Sequence, residues 1–382
     1  MGVADAPSTR QLICGRSSPS PFRNSVRKTL ILTHRWLALV VGVILLATAL
    51  SGAAMVFEGA IDRALNPGLW RVTPGTRPLP LDTILARVEA SVPGGHVASL
   101  SMTTAPDQAW TMGLGPLTVF VDPYTGRVNG TRTPAQAQAT LARRLHVFHV
   151  ELVAGPIGRS IVAIATVVAL FLVTTGIILW WPDKLIRIRP GASWKRINFD
   201  LHHVLGIVAS LILIVITSSA LLIHYNALAN LVKSIDAAPA PRIEPQPPGP
   251  ADAPRLSFDS AVAVARRALP GATVRSISMA GAKNPVTVGM RFSDDRTPGG
   301  RSRVFLNRYT GDVLGVVSTH DAPLGVRIDN LKRSLHTGDV LGKPTEFVWM
   351  LASLVMAAQV VTGVLMWWNA RRGRRRVQAR GA

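Results

Sequence analysis

Two stretches decide how this chain is built: HRWLALVVGVILLATALS (residues 34–51) and HHVLGIVASLILIVITSS (residues 202–219). They align without a gap at an offset of 168. Each opens on histidine and then runs apolar, inside a segment of the ~20 residues that a helix needs to cross a bilayer. The first spans 36–57 and the third has its apolar core at 205–223, within a span of 201–224. Two further segments, 160–181 and 347–368, have the same character, and the four apolar cores hold no Lys, Arg, Asp or Glu. The sequence predicts a helical membrane protein with four transmembrane helices. The first span is no cleaved signal peptide: it starts late, its apolar core is too long, and no A-x-A-like site follows it.

Outward from these spans, the charge becomes interpretable. The 382 residues carry 42 Lys+Arg against 21 Asp+Glu, a net +21, yet 48% of the chain is hydrophobic. Residues 1–35, 182–200 and 369–382 together hold 17 of the positive residues against three acids, Asp5, Asp183 and Asp200. Short cytoplasmic segments collect Lys and Arg in this way. The expected order is a basic cytoplasmic segment (1–35), span one (36–57), an external module (58–159), and span two (160–181). A cytoplasmic loop (182–200), span three (201–224), a second external module (225–346), span four (347–368) and a basic tail (369–382) follow. Both termini are expected to be cytoplasmic. The positive charge therefore addresses lipid headgroups, and no nucleic-acid partner is expected. A single cysteine, Cys14, excludes a disulfide framework and Cys-based metal sites within the chain.

The two halves read as tandem copies. Beyond the spans, SLSM (99–102) matches SISM (276–279) at offset 177, and VFVDPYTGRV (119–128) matches VFLNRYTGDV (304–313) at offset 185. His149, Gly155, Gly176, Trp180 and Trp181 match His336, Gly342, Gly363, Trp367 and Trp368 at offset 187. Offsets that only grow, by loop-sized steps, are what duplication with insertion leaves behind. Within each external module an amphipathic helix (Ile84, Leu85, Val88; Val262, Val264, Ala265) precedes β-type runs. The Tyr-Thr-Gly steps read as tight turns with glycine at positive φ, and the Pro-rich stretch 237–254 reads as a stiff linker.

The run VDPYTGRV (121–128) resembles the hairpin of PepSY domains, and the spans are similar to PepSY-associated transmembrane helix proteins. The residues that carry this are His34-Arg35-Trp36 with Ser51-Gly52; His149 with Gly155, Pro156, Gly158 and Arg159; Thr175-Gly176 with Trp180-Trp181; Asp200-Leu201-His202 with Gly206; and Leu335-His336-Thr337-Gly338 with Thr362-Gly363. The similarity covers about residues 28–370 and departs at Ser219-Ala220 and at His146, His203 and His224. It implies two PepSY-like α+β modules outside the membrane. It also implies an inner-membrane protein of iron acquisition, similar in some relatives to haem-containing reductases of ferric siderophores.

The histidines carry the chemical expectation. His34 pairs with His202, and His149 with His336, through the repeat, one pair near each membrane face. A b-type haem needs two imidazoles facing one another at matched depth between helices. One or two haem b groups are therefore expected, with His34, His202, His149 and His336 as iron ligands. His146 is a possible replacement for His149, and His224 is a substitute ligand without a repeat partner. Histidines at helix ends also cap backbone groups or sit among headgroups, so each taken alone reads as structural. The basic Arg291, Arg296, Arg301 and Arg303 read either as a surface that draws an anionic ferric chelate or as a solvated face. No phosphate loop, dinucleotide fingerprint, metalloprotease motif or nucleophile elbow occurs, so an unknown partner or diffusible pool must supply electrons. Two other readings stand beside this one. One is a non-catalytic envelope protein whose modules bind peptides or partner proteins; the other is a transport component for iron or its chelate.

Overall fold

Backbone groups in lipid must be satisfied within the segment, so apolar runs cross as helices. The computed structural model describes residues 21–378 except 93–94, 182–183, 185, 237–238, 240, 250–253, 280 and 282. Asp5, Arg10, Cys14, Arg16, Pro93, Gly94, Pro182, Asp183 and Arg380 lie outside the described residues, as do parts of the linker. The first half contains α1 (Pro21–Met55), α2 (Glu58–Leu65), α3 (Pro67–Trp70), α4 (Leu81–Ser91), β1 (Val97–Ser101), β2 (Trp110–Leu114), β3 (Leu117–Val121), β4 (Val128–Arg132), α5 (Pro134–Ala139), α6 (Leu141–Glu151) and α7 (Gly155–Trp180). The second contains α8 (Trp194–His224), α9 (Asn226–Lys233), α10 (Phe258–Ala268), β5 (Thr273–Ser278), β6 (Val286–Arg291), β7 (Ser302–Leu306), β8 (Val313–Val317), α11 (Leu324–Thr337) and α12 (Lys343–Gln378).

Four of these helices, α1, α7, α8 and α12, are long and apolar enough to cross a membrane. They run past their apolar cores. No Pro or Gly interrupts α1 between Phe22 and Val41, so the helix starts well before Trp36 and His34 lies inside it. Each helix touches two others in a closed ring: α1 on α7 and α12, and α8 on the same two. Val41, Leu45, Ala165, Ala169 and Leu172 fill one contact; Ala209, Leu213 and Ala352 fill another. The amphipathic α6 packs on α1 and α7, and α11 packs on α8, at the end of the bundle nearest the sheet.

The strands of the two external segments come together in one sheet. All eight strands form one antiparallel sheet in the order β4-β3-β2-β1-β5-β6-β7-β8. β1 and β5 would each be an exposed edge in a separate module, an invitation to aggregation; here they pair with each other. Leu100 faces Ile277, flanked by Ser99 opposite Ser278 and Ser101 opposite Ser276. One side of the sheet is apolar. Leu100, Met112, Val119, Ile277, Val288 and Val304 are buried there against Ile84 and Val88 of α4 and Ala261, Val262 and Ala265 of α10.

The two covering helices cap one another. Asp259 of α10 accepts from the backbone N–H groups of Leu81 and Asp82 at the start of α4, both at 3.0 Å. Asp82 in turn accepts from Phe258 N–H at 2.9 Å. Orphan N–H groups at a helix start favour a carboxylate, and here each comes from the other half of the chain. The Tyr-Thr-Gly turns have the expected geometry, with Gly126 at φ +68° and Gly311 at +80°. Asp122 and Asn307 each accept from the two following turn amides. The linker is bound where it is described: Glu244 N–H donates to Leu314 O, and Arg308 N–H to Gln246.

If the crossed caps hold the two halves of the sheet domain together, Asp259→Ala should cost about 1–2 kcal/mol and Asp82→Ala less, since it loses one bond rather than two. Thermal unfolding of the full chain in detergent checks this, and an Asp259→Asn variant should keep much of the difference.

Candidate functional site

The bundle and the helices at its sheet end bring the predicted histidines together in two levels. At the level far from the sheet, His34 of α1 places Nδ1 2.8 Å from Thr175 Oγ1 of α7, and His202 of α8 places Nδ1 2.9 Å from Thr362 Oγ1 of α12. At the sheet end, His149 of α6 lies 2.9 Å from the Thr48 carbonyl of α1, and His336 of α11 lies 3.1 Å from the Ile216 carbonyl of α8, both through Nδ1. His34 and Thr48 are 14 residues apart, as are His202 and Ile216, so the levels are separated by about 21 Å along the helices.

These bonds fix the tautomer of all four rings. A backbone carbonyl only accepts, so His149 and His336 carry their proton on Nδ1. The threonine hydroxyls are spent: Thr175 donates to Phe171 O at 2.8 Å and Thr362 to Ala358 O at 2.7 Å. Each has only a lone pair left for its histidine, so His34 and His202 are also protonated on Nδ1. Among the described residues, the hydrogen bonds that tie these four rings to neighbouring helices run through Nδ1. The bare Nε2 is the atom that ligates a metal when the other nitrogen is held by an acceptor.

The sheet-end rings face each other, with centroids 6.1 Å apart and planes tilted by 48°. Burial holds the His149 imidazole far below its ordinary range, at about 4, and His336, His146 and His224 add repulsion against the pull of the Thr48 carbonyl. His336 is likewise held low by burial. Thus His146 and His224, both half-buried, lie in the field of His149. The helix ends position the pair: α6 stops at left-handed Leu152, three residues after His149. Gly338, at φ +80° against the Trp349 ring, stops α11 two residues after His336.

Space beside the rings is kept by glycine. A Cβ on Gly52 would lie 3.0 Å from His149 Cε1, and one on Gly363 3.5 Å from His202 Cε1. His203 donates to Phe199 O at 2.9 Å, its ring tilted against that ring at 4.0 Å and 5.9 Å from the His202 ring. The far level also holds polar groups that exist in the second half alone. Asn198 is buried and donates to Thr362 O at 3.0 Å. Asp200 is fully buried; Arg196 Nε lies 2.9 Å from it, an ion pair whose angle gives neither group a hydrogen bond. Among the described residues no three His, Cys, Asp or Glu converge on a bare ion. The sequence had singled out the histidines but assigned no role to Thr175, Thr362 or the two carbonyls. The Thr-Gly steps 175–176 and 362–363 were the visible signal.

A ring of membrane-crossing helices beneath an antiparallel sheet, with histidines in its gaps, defines a multi-pass membrane protein with an α+β part outside the bundle. Residues 31–370 match the model of the PepSY-associated TM region, and the chain belongs to that family. No match was found among curated proteins.

The His149 imidazole titrates at about 4 when folded and near 6.5 when unfolded, so the unfolded chain binds more protons between these values. Stability of protein free of any ligand at His149 should therefore fall as pH drops from about 6.5 to about 4. His149→Phe should remove about one proton from that slope, as read by denaturant unfolding across the window.

Proposed function

We propose that the chain is an inner-membrane haem-b electron carrier that passes electrons outward to a ferric chelate such as a ferric siderophore. The observation that carries this reading is the common state of four histidines. Each carries a proton on Nδ1 in a bond to a neighbouring helix and leaves Nε2 open. Four histidines placed alike at two levels, each with Nε2 open, support the reading of a ligand set.

The donor set fits haem. Two imidazoles sharing one iron, with each metal–nitrogen bond about 2 Å, have ring centroids about 6 Å apart. The His149–His336 spacing of 6.1 Å meets that requirement. His34 and His202 would hold a second group at the far level. Haem supplies one-electron chemistry when bound. The chain's own part is to fix each ring through Thr175, Thr362, Thr48 O and Ile216 O, and to keep room beside it with Gly52, Gly176 and Gly363.

The reading also takes the two halves as tandem copies of one unit, related by an axis along the bundle. The sheet order, the reciprocal Asp82 and Asp259 caps and the matching histidine bonds support it. With 17 Lys and Arg in the three short segments, both termini are cytoplasmic. His149 and His336 then lie at the outer face, where an acceptor arrives, and His34 and His202 face the cytoplasmic side.

Purified protein, oxidised and then reduced with dithionite, should show a haem-b Soret band and its shift. His34→Ala and His202→Ala should lose the same half of the haem, and His149→Ala and His336→Ala the other half. Absence of any Soret band after expression with adequate haem supply would overturn the proposal.

A further inference from the structure

The sheet has a second face, and its composition is unlike any ordinary exposed surface. Strand pairing defines two ladders that cross all eight strands on that face. In the four central strands the ladders carry hydroxyls from Ser99, Ser101, Thr111, Ser276, Ser278 and Thr287. Gly113 and Gly289 complete them. A Cβ at these glycines would fall 2.5 Å from the Ser99 hydroxyl and 2.4 Å from the Ser276 hydroxyl, so the glycines keep those oxygens seated in the floor. None of these eight positions is buried. At about 4.8 Å per strand the hydroxyl floor is about 14 Å across.

The edges of the floor are closed and its centre is open. On one side α3 covers it, with Trp70 edge-on to Phe120 and Leu69 against Gly130. On the other, Arg242 and Ile243 of the linker lie on Gly315. α3 follows α2, which packs on α6 of the bundle, and the linker follows α8 and α9, while α4 and α10 occupy the other side of the sheet. A cavity of about 360 Å³ opens at the first edge among Asp62, Asn66, Arg132, Thr140 and Leu141. Leu141 begins α6, about two turns before His149.

Charge on the floor has one sign. The ladders hold two arginines and no acid. Arg132 is neutralised by Asp62 through bonds of 3.0 and 3.1 Å. Arg291, one rung further on, is held by the carbonyls of Asp295 and Thr297. Arg303 is exposed and has no partner among the described residues. Hydroxyls that donate, a free guanidinium and no carboxylate suit an anion whose surface is oxygen.

We propose that this hydroxyl floor, with Arg303, is the docking site of an anionic, oxygen-ligated ferric chelate, held between the sheet and the histidine end of the bundle. The proposal rests on the electron-carrier reading for its occupant and on the sheet for its place. Small side chains leave the floor open, and the cavity at its first edge reaches Leu141, which begins the helix that carries His149.

Gallium(III) citrate, which is not reduced, serves as the probe with full-length protein in detergent. Titration calorimetry should show binding, and Ser101→Trp, Ser276→Trp and Arg303→Glu should each weaken it at least tenfold. Tryptophan is accepted in strands, and Arg303→Glu alters an exposed side chain, so thermal unfolding should stay near the parent. Arg267→Trp on the far side, on α10, should change nothing. Absence of binding, or unchanged binding by the three floor variants, overturns the proposal. Haem content of the same samples separates the two readings. Haem-free protein that binds the probe through the floor would sink the electron-carrier reading alone, and haem-loaded protein whose binding ignores the floor would sink the site alone.

Discussion

The arrangement depends on one kind of bond: an imidazole Nδ1–H given to an oxygen on a neighbouring helix. In lipid or at its edge, a charged histidine would be costly and an unbonded one poorly placed. Thr175 and Thr362 solve both problems, because their hydroxyl protons are already committed to their own helices and their oxygens are open. The carbonyls of Thr48 and Ile216 do the same at the other level. These bonds cross from α1 to α7, α8 to α12, α6 to α1 and α11 to α8, so they also tie the ring of helices together where apolar packing is small-residue and shallow.

The sheet obeys a complementary constraint. Each half supplies four strands, too few to hide an inner edge from other chains. Joining β1 to β5 removes both inner edges at once and creates a symmetric floor from residues that a single module would leave at its margin. The crossed Asp82 and Asp259 caps belong to the same solution, since neither α4 nor α10 carries an adequate cap of its own at these amides. A fused sheet also gives the bundle a single roof, and one roof fits a pair of histidines that meet between the halves.

Much of this was legible in the sequence. The four spans follow from runs without charge, and the turns at Gly126 and Gly311 from Tyr-Thr-Gly. The two histidine levels follow from the offsets of 168 and 187. What could not be read is instructive. Strand pairing between the halves depends on Ser99, Leu100 and Ser101 meeting Ser278, Ile277 and Ser276 across 170 residues or more, and no local pattern specifies that. The tautomers depend on hydroxyls 141 and 160 residues away from their histidines. The linker read as a stiff spacer from its prolines, yet Glu244 finds the edge strand β8 with its one N–H. The helices outran their apolar cores because nothing in 22–41 breaks a helix, a point hydropathy alone does not address.

The central claim is that four Nδ1-protonated histidines are two bis-imidazole ligand pairs. The most direct measurement is the haem b content per chain of the purified protein, by pyridine haemochrome, together with its low-temperature paramagnetic resonance spectrum. The account predicts about two haems per chain, both low-spin as two axial imidazoles require. Haem-free protein, or a high-spin signal from iron with a single histidine, would contradict it.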